Sequence, residues 1–164
     1  MYKGVVSVLR YRIISVGKIK ESFYVAGIRE YLKRLEPYVS IELIQGLEEK
    51  TNPRADSNMI NKILIREGER ILRYIGNDDI VVALDIQGKS FSSEAFALLL
   101  KQFNLSGRPR VCLVIGGSHG LAHEVIQRAN HRISFSPMTF AHQMAVLILC
   151  EQLYRGFKIL KGEP

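Results

Sequence analysis

The sequence predicts an α/β fold, a mostly parallel sheet with flanking helices. Short apolar runs alternate along the chain with longer segments whose apolar residues recur at helical spacing. Two of the runs, residues 80–84 (IVVAL) and 111–115 (VCLVI), are continuously apolar, which is typical of parallel strands covered on both faces. The 164 residues suffice for one domain with its own core, and no repeat or low-complexity segment divides them.

Each element has its own local signal. β-rich or alternating runs predict strands, and apolar residues three or four positions apart predict helices. Asp56 or Ser57 can cap the second helix, and residues 92–94 begin the third. Pro37 and Gly76 mark the ends of the first and second helices. In chain order we predict a strand at 11–16, a helix at 21–35, a strand at 39–44, a helix at 57–75, a strand at 80–84, a helix at 94–103, a strand at 111–115, a helix at 121–129, a strand at 133–135 and a helix at 143–160.

Composition narrows the class of partner and the compartment. The chain has 23 Lys and Arg against 16 Asp and Glu, a net charge of +7 that favours polyanions, with nucleic acid the leading class. Cys112 and Cys150 lie in apolar runs and are predicted to be buried thiols of a reducing compartment. No apolar run approaches the roughly 20 residues that span a bilayer. We therefore expect a soluble, cytoplasmic protein without a membrane partner.

Three strand ends share glycines or small residues: segments 84–88, 115–120 and 134–140. Ligands of open parallel sheets bind beyond the carboxyl ends of the strands, so these segments predict a binding site. The alternative for residues 116–120 is a tight strand-to-helix turn without a ligand. Their G-G-x-x-G spacing departs from the dinucleotide pattern G-x-G-x-x-G and lacks the G-K-[ST] of a P-loop, so a nicotinamide cofactor is disfavoured.

Five segments in order resemble one family: YRIISVGKIKE, ALDIQGKSFSSEAF, VIGGSHGL, SFSPMTFAHQM and EQLYRGFKILKGEP. It is the bacterial ribosomal RNA large subunit methyltransferase H family of the SPOUT superfamily. The resemblance implies a homodimeric SPOUT-type fold with a C-terminal trefoil knot. It also implies S-adenosyl-L-methionine as methyl donor and methylation at N3 of a pseudouridine in 23S rRNA within assembled ribosomes. Residues 11–164 would form a single SPOUT methyltransferase domain, and residues 1–10 an N-terminal extension of unknown role.

The resemblance further implies the site residues. Arg155 matches an arginine near the acceptor and is expected to hold RNA and stabilise the deprotonated base, the alternative being a solvated helix-face charge. His142 is expected to contact cofactor or RNA, with capping of the last helix as the alternative. Methyl transfer requires no metal, and no ligand cluster in the sequence offers a metal site. The cofactor pocket is expected to be formed by Leu84, Gly117, Ser136, Pro137, Met138, Thr139, Phe140 and Ala141.

Departures from the family pattern leave a second reading open. The family commonly has Pro at Ala141, usually has Arg at Val146, and continues beyond the position of Pro164 with a short Tyr-His-basic tail. The last two departures motivate the alternative of a ribosome- or RNA-binding relative that binds cofactor with weak or no turnover. A nucleotide-dependent oxidoreductase of doubly wound fold is a third reading, which the missing glycine fingerprint opposes.

Two further expectations concern charged and titratable side chains. His119, His123 and His131 have no partnered spacing and are expected at the surface. If two subunits build one site, basic side chains near the first helix are expected to reach RNA bound to the partner. These are Lys18, Lys20, Arg29 and Arg34.

Overall fold

In the computed structural model, which describes residues 9–164, the chain folds into a five-stranded sheet with helices on both faces. The first eight residues of the expected extension 1–10 lie outside the described residues, and the first strand begins at Arg10. The elements are β1 (Arg10–Ser15), α1 (Ser22–Leu35), β2 (Ser40–Ile44), α2 (Ser57–Leu72), β3 (Ile80–Ser90), α3 (Ser93–Leu105), β4 (Val111–Ile115), α4 (His123–Arg128), β5 (His131–Ser134) and α5 (His142–Leu160).

All four strand pairings are parallel, and the strand order is β2-β1-β4-β3-β5. The pairing register places Ile115 beside both Ser15 and Leu84. The carboxyl ends of β1 and β4 therefore lie beside the middle of β3, at the same end of the sheet. The predicted α/β fold with a parallel sheet is confirmed, whereas the trefoil knot stays a prediction.

The two faces of the sheet bury separate cores. One core joins β-strand side chains such as Ile13 and Leu113 to α1, α3 and α5, with Leu100 and Leu149 fully buried. The other joins strand side chains of opposite orientation to α2 and α4, with Ile71 and Val125 at its centre. Strand residues alternate between the two cores because successive side chains of a strand point to opposite faces. The result is a three-layer α/β/α arrangement.

The predicted caps and buried thiols are confirmed. The Asp56 carboxylate accepts the Met59 amide at 2.9 Å, and the Ser92 hydroxyl accepts the Ala95 amide at 3.1 Å. Cys112 and Cys150 are both free and buried. Burial raises the pKa of each thiol to about 12.

The prediction was wrong about the length of β3, which extends from the expected Leu84 to Ser90. Leu84 and Lys89 both pair with Ile133 of β5, so the four residues between them form a bulge within a continuing strand. Asp-Ile-Gln-Gly reads as a turn in sequence, which hid the continuation. The other bounds differ by smaller margins, since α2 ends at Leu72 and β5 begins at His131.

Candidate functional site

The three predicted ligand segments meet in one cavity of about 680 Å³, within the range of roughly 300–1,000 Å³ usual for small-molecule sites. The cavity lies at the end of the sheet where the carboxyl ends of the strands are found. One wall is the β3 bulge, the second is the turn after β4, and the third is the loop between β5 and α5. His142 and Ala145, at the start of α5, complete the lining, and this part of the lining is called the cavity floor below. The prediction that these segments converge is confirmed.

The turn after β4, residues 116–120, is folded back on itself. Gly117 and Gly120 form an isolated antiparallel bridge, and the Gly120 amide donates to the Gly117 carbonyl at 3.1 Å. A Cβ on Gly116 would stand 2.5 Å from the Gly120 carbonyl oxygen, and Gly120 has φ +82°. Only glycine fits both positions without moving backbone, so the turn presents bare main chain to the cavity.

The loop between β5 and α5 supplies apolar surface at the cavity mouth. Met138 is 74% exposed, and Phe140 is also exposed. The Ser136 hydroxyl accepts the Met138 amide at 3.0 Å, and the Ser134 hydroxyl donates to the Ser136 carbonyl at 3.1 Å. These hydrogen bonds stabilise the loop, while the side chains of Met138 and Phe140 remain accessible to a ligand.

The β3 bulge is fastened to β5 by an ion pair. Asp85 accepts hydrogen bonds from both Nε, at 3.0 Å, and Nη2 of Arg132, and also from the Gln87 amide at 3.1 Å. Burial alone would raise the pKa of Asp85, but the Arg132 and Gln87 hydrogen bonds outweigh it, and the pKa is lowered. Asp85 therefore stays ionised and holds the wall in place.

His142, the first residue of α5, is held from outside the cavity. Its Nε2 lies 3.2 Å from the Lys18 carbonyl oxygen, and its ring covers Gly17. The neighbouring Gln143 side chain accepts the amides of Lys20 and Glu21 at 2.9 and 3.0 Å. The segment entering α1 is thus tied to the start of α5, beside the cavity. With Nε2 donating to Lys18, Nδ1 of a neutral ring is left as an acceptor.

Among the described residues, the side chains of the cavity lining include no Lys or Arg, and the one acid is the paired Asp85. Phosphate groups are ordinarily bound by cationic side chains or by helix N-termini. Apolar side chains with bare main chain suit an uncharged purine and a sugar instead. The donor set therefore fits an adenosine without phosphates better than a dinucleotide. Among residues 9–164, no group of His, Cys, Asp or Glu is arranged to hold a metal ion.

Most of the residues expected at the cofactor pocket line the cavity. Pro137 is exposed on the same loop and is not part of the lining. His142, which is expected to act in catalysis, also lines the cavity. The expected pocket residues that line it are Leu84, Gly117, Ser136, Met138, Thr139, Phe140 and Ala141.

Arg155 and His142, the two side chains expected to act in catalysis, lie on the same helix but far apart. Arg155 comes thirteen positions after His142 on α5, which is about 20 Å along the helix axis. The Arg155 side chain is 55% exposed and pairs with Glu151 one turn earlier, at 3.0 Å from Nε. Within one chain, Arg155 does not reach the cavity.

Val146 is 0% exposed and packs in the core against the sheet. It is not part of the cavity lining, so this position contributes no contact to the site in this chain. Nearby on α5, Tyr154 joins a cluster with Tyr31 and Tyr38, over which Arg34 and Lys158 lie. Tyr154 therefore packs against α1 and the segment after it.

The expectation for the three histidines is confirmed for the exposed His123 and wrong for the other two. His131 is half-buried, with its ring 5.1 Å from that of Phe103, and burial lowers its pKa. His119 turns its Nε2 into the protein, where that atom is buried without a hydrogen-bond partner. Glu67 of α2, a buried carboxylate, lies next to the same turn. No sequence pattern indicated that this residue would lie near the cavity.

Comparisons with known proteins agree with this geometry. Residues 9–164 match the family model described as "Predicted SPOUT methyltransferase". The chain is 59% identical over 156 residues to ribosomal RNA large subunit methyltransferase H of Syntrophomonas wolfei, covering 95% of this chain and 98% of that one. It is 44% identical to the protein of the same name from Halothermothrix orenii, with the same coverage. The identity to the Carboxydothermus hydrogenoformans protein of this name is 46%, over 93% of this chain and 96% of that one.

Proposed function

The chain belongs to the SPOUT methyltransferase family, and we propose that it transfers a methyl group from S-adenosyl-L-methionine to ribosomal RNA. The acceptor we propose is N3 of a pseudouridine in 23S rRNA of assembled ribosomes. The single observation that supports this best is the cavity where the β3 bulge, the glycine turn and the β5–α5 loop meet. The relatives named above, methyltransferases of the large ribosomal subunit RNA, supply the substrate class.

The residues proposed to hold the cofactor follow from their place in the lining. Main chain of residues 116–120 and of the β5–α5 loop supplies donors and acceptors for the adenine edge, while Leu84, Met138 and Phe140 pack against its faces. Ser136, Thr139 and Ala141 complete the loop side. When bound, the cofactor supplies an electrophilic methyl group. Every other requirement, orientation of the acceptor and removal of its proton, falls to the protein.

For His142 we propose one of two roles at the cavity floor. It accepts the proton of the methyl-accepting base, or it orients that base. Its Nε2 is engaged by the Lys18 carbonyl, which directs the remaining ring nitrogen toward other partners. The helix has no side-chain cap at this end, since Ala141 occupies the cap position. The ring therefore serves to tie α5 to the segment before α1 and to present one acceptor nitrogen.

The proposal for Arg155 requires a second copy of the chain. Because about 20 Å of α5 separates Arg155 from the cavity floor in one chain, Arg155 can act on the acceptor only at the cavity of another. A homodimer in which each subunit completes the other's site meets this requirement. The Glu151 partner keeps the guanidinium oriented along the helix surface until RNA arrives.

Lys18 and Lys20 are proposed to bind the RNA backbone beside the cavity. Both are exposed, and both lie in the segment that His142 and Gln143 fix at the start of α5. Arg34 is a weaker candidate than these two, because it is already paired with Glu30 and lies over Tyr31. Contacts to phosphate raise affinity without reading sequence and weaken as salt rises.

Two measurements test the proposed function. Calorimetry with S-adenosylmethionine and with S-adenosylhomocysteine is expected to give saturable binding, and NAD(P)H is expected to give none. Purified protein is then incubated with ribosomes from a strain that lacks this methylation, and the 23S rRNA is digested for mass spectrometry. A new methylpseudouridine supports the proposal. Cofactor binding without an RNA product contradicts the assignment as an active enzyme, and absence of cofactor binding contradicts the assignment of the cavity.

A further inference from the structure

A buried carboxylate stands directly behind the glycine turn. Glu67 of α2 is 6% exposed, although it carries an ionisable group. Its Oε2 accepts the Glu49 amide at 3.0 Å, whereas no hydrogen bond to Oε1 is found among the described residues. Oε1 lies 4.0 Å from the point where a Cβ on Gly117 would stand. One face of the turn therefore borders the cavity, and its back borders a carboxylate oxygen with unused bonding capacity.

A buried polar atom without a hydrogen-bond partner lies on the turn itself. The Nε2 of His119 is enclosed by protein and is the one such side-chain atom without a hydrogen-bond partner in residues 9–164. Buried polar atoms without partners are uncommon, and each calls for a physical reason. His119 and Glu67 Oε1 both border the turn at residues 116–120, since Oε1 lies 4.0 Å from the Cβ position of Gly117, and the charge of His119 lowers the pKa of Glu67. A donor nitrogen and a carboxylate oxygen are complementary partners.

Helix α2, which carries Glu67, is packed closely against the chain that follows the turn. The adjacent Gly68 packs so closely on Ala122 that a Cβ on Gly68 would stand 2.8 Å from the Ala122 Cβ. On the same side of the turn as Glu67, a Cβ on Gly117 would stand 3.3 Å from Val16. Helix α2 is thus in contact with the chain just after the turn, and any adjustment of the His119 side chain takes place against a fixed surface.

We propose, on the basis of the proposed function, that Glu67 and His119 are positioning residues for the cofactor. Occupation of the cavity brings protonated His119 onto the free oxygen of Glu67, and this bond fixes residues 116–120 around the ligand. The proton comes from solvent and forms an N–H bond on the imidazole, and no other covalent bond changes. Ligand binding and proton uptake are then linked, and each favours the other.

The other charges around Glu67 leave this pairing available. Burial raises the pKa of Glu67 most, the charge of Glu48 raises it further, and the Glu49 amide and Arg70 lower it. The Glu49 carboxylate is occupied by Arg66, at 3.1 Å, and by Arg70, so it does not compete for His119. His142, the other histidine of the cavity lining, is engaged by the Lys18 carbonyl instead.

The test is calorimetry with S-adenosylhomocysteine in two buffers of different ionisation heat, near pH 6 and near pH 8, either side of the ordinary imidazole range. The whole protein is expected to take up a fraction of a proton on binding and to bind more tightly at the lower pH. Glu67→Gln and His119→Asn should each weaken binding roughly 3- to 10-fold and remove the proton uptake. Glu69→Gln, an exposed site on the same helix, is the matched control and should change neither quantity.

A thermal melt separates positioning from structural damage. Because burial raises the pKa of Glu67, its charged form costs folding stability at neutral pH, and Glu67→Gln is expected to melt no lower than the parent. Proton uptake that persists in Glu67→Gln, or an affinity equal to that of Glu69→Gln, overturns the inference. So do losses in Glu67→Gln and His119→Asn that simply add in the double variant. Absence of any binding by the parent overturns the proposed function instead.

Discussion

The imidazole of His142 rests directly on Gly17, so closely that a Cβ on Gly17 would stand 2.3 Å from the His142 Nε2. This contact joins the end of β1 to the start of α5, two segments more than 120 residues apart in sequence. Glycine at position 17 is therefore required by the ring that covers it. Gly17 and the Lys18 carbonyl in turn hold the ring in its place in the cavity lining.

Gly17→Ala is expected to displace His142 and to lower methyl transfer about 10-fold or more, because small displacements of site residues have large kinetic costs. The measurement is methyl incorporation into ribosomes with the variant and the parent. The same substitution in a His142→Ala background serves as the control. There the space is empty, and Gly17→Ala should cost little beyond His142→Ala alone. Equal losses in both backgrounds would show that the contact is irrelevant to activity.

The Arg155→Ala variant and the Gly116→Ala variant are each expected to be inactive. A mixture of the two proteins that has exchanged subunits is expected to be active. Gly116→Ala places a Cβ 2.5 Å from the Gly120 carbonyl oxygen and should abolish cofactor binding, while Arg155→Ala leaves the cavity intact. If subunits complete each other's sites, statistical mixing restores about a quarter of the parent activity, since half of the dimers are mixed and each has one complete site. No recovery, after subunit exchange has been verified, contradicts the shared site.

Arg132→Gln is expected to change stability in a pH-dependent way. The lowered pKa of Asp85 means that the pair stabilises the folded state above the ordinary Asp pKa, and that this contribution is lost as pH falls through the lowered value. At neutral pH the loss should be below about 1 kcal/mol, since the pair is partly exposed. Urea unfolding at neutral and at acid pH measures it. Arg108→Gln, whose partner Asp78 is 3.9 Å away and exposed, is the control.

Cys112 and Cys150 are expected to resist alkylation in the folded protein. Both thiols are buried, and burial raises the pKa of each to about 12, with the charge of Asp79 adding to the effect at Cys112. At neutral pH iodoacetamide should modify them at least about 100-fold more slowly than in urea-unfolded protein. Mass spectrometry of timed samples gives both rates. Rapid modification of either thiol in the folded protein would contradict its placement in the core.

The sequence predicted the walls of the cavity better than the contacts behind them. Strand ends and glycine-bearing turns are local patterns, so residues 115–120 and 134–140 could be assigned from composition alone. The β3 bulge was missed because Asp-Ile-Gln-Gly has turn chemistry, and its pairing to β5 depends on a strand more than 40 residues later. The position of Glu67 beside the turn depends on α2, about 50 residues earlier in the chain, which no local pattern reveals.

Arg155 illustrates a different limit. The family resemblance marked it as a residue near the acceptor, and the regular rise of α5 separates it from His142 by about 20 Å. Both statements were available from sequence, since Arg155 lies on the predicted helix 143–160 and His142 comes directly before it. Only the cavity, with His142 at its floor, shows that the distance matters.

The length of α5 has a mechanical consequence. An α-helix resists compression along its axis, and this one runs unbroken from the cavity floor at Ala145 to the tyrosine cluster beside Phe157. A tilt imposed where Phe157 packs against Tyr38 is transmitted to the floor without being absorbed on the way. A load applied at the far end of α5 is therefore expected to change the width of the cavity at its other end.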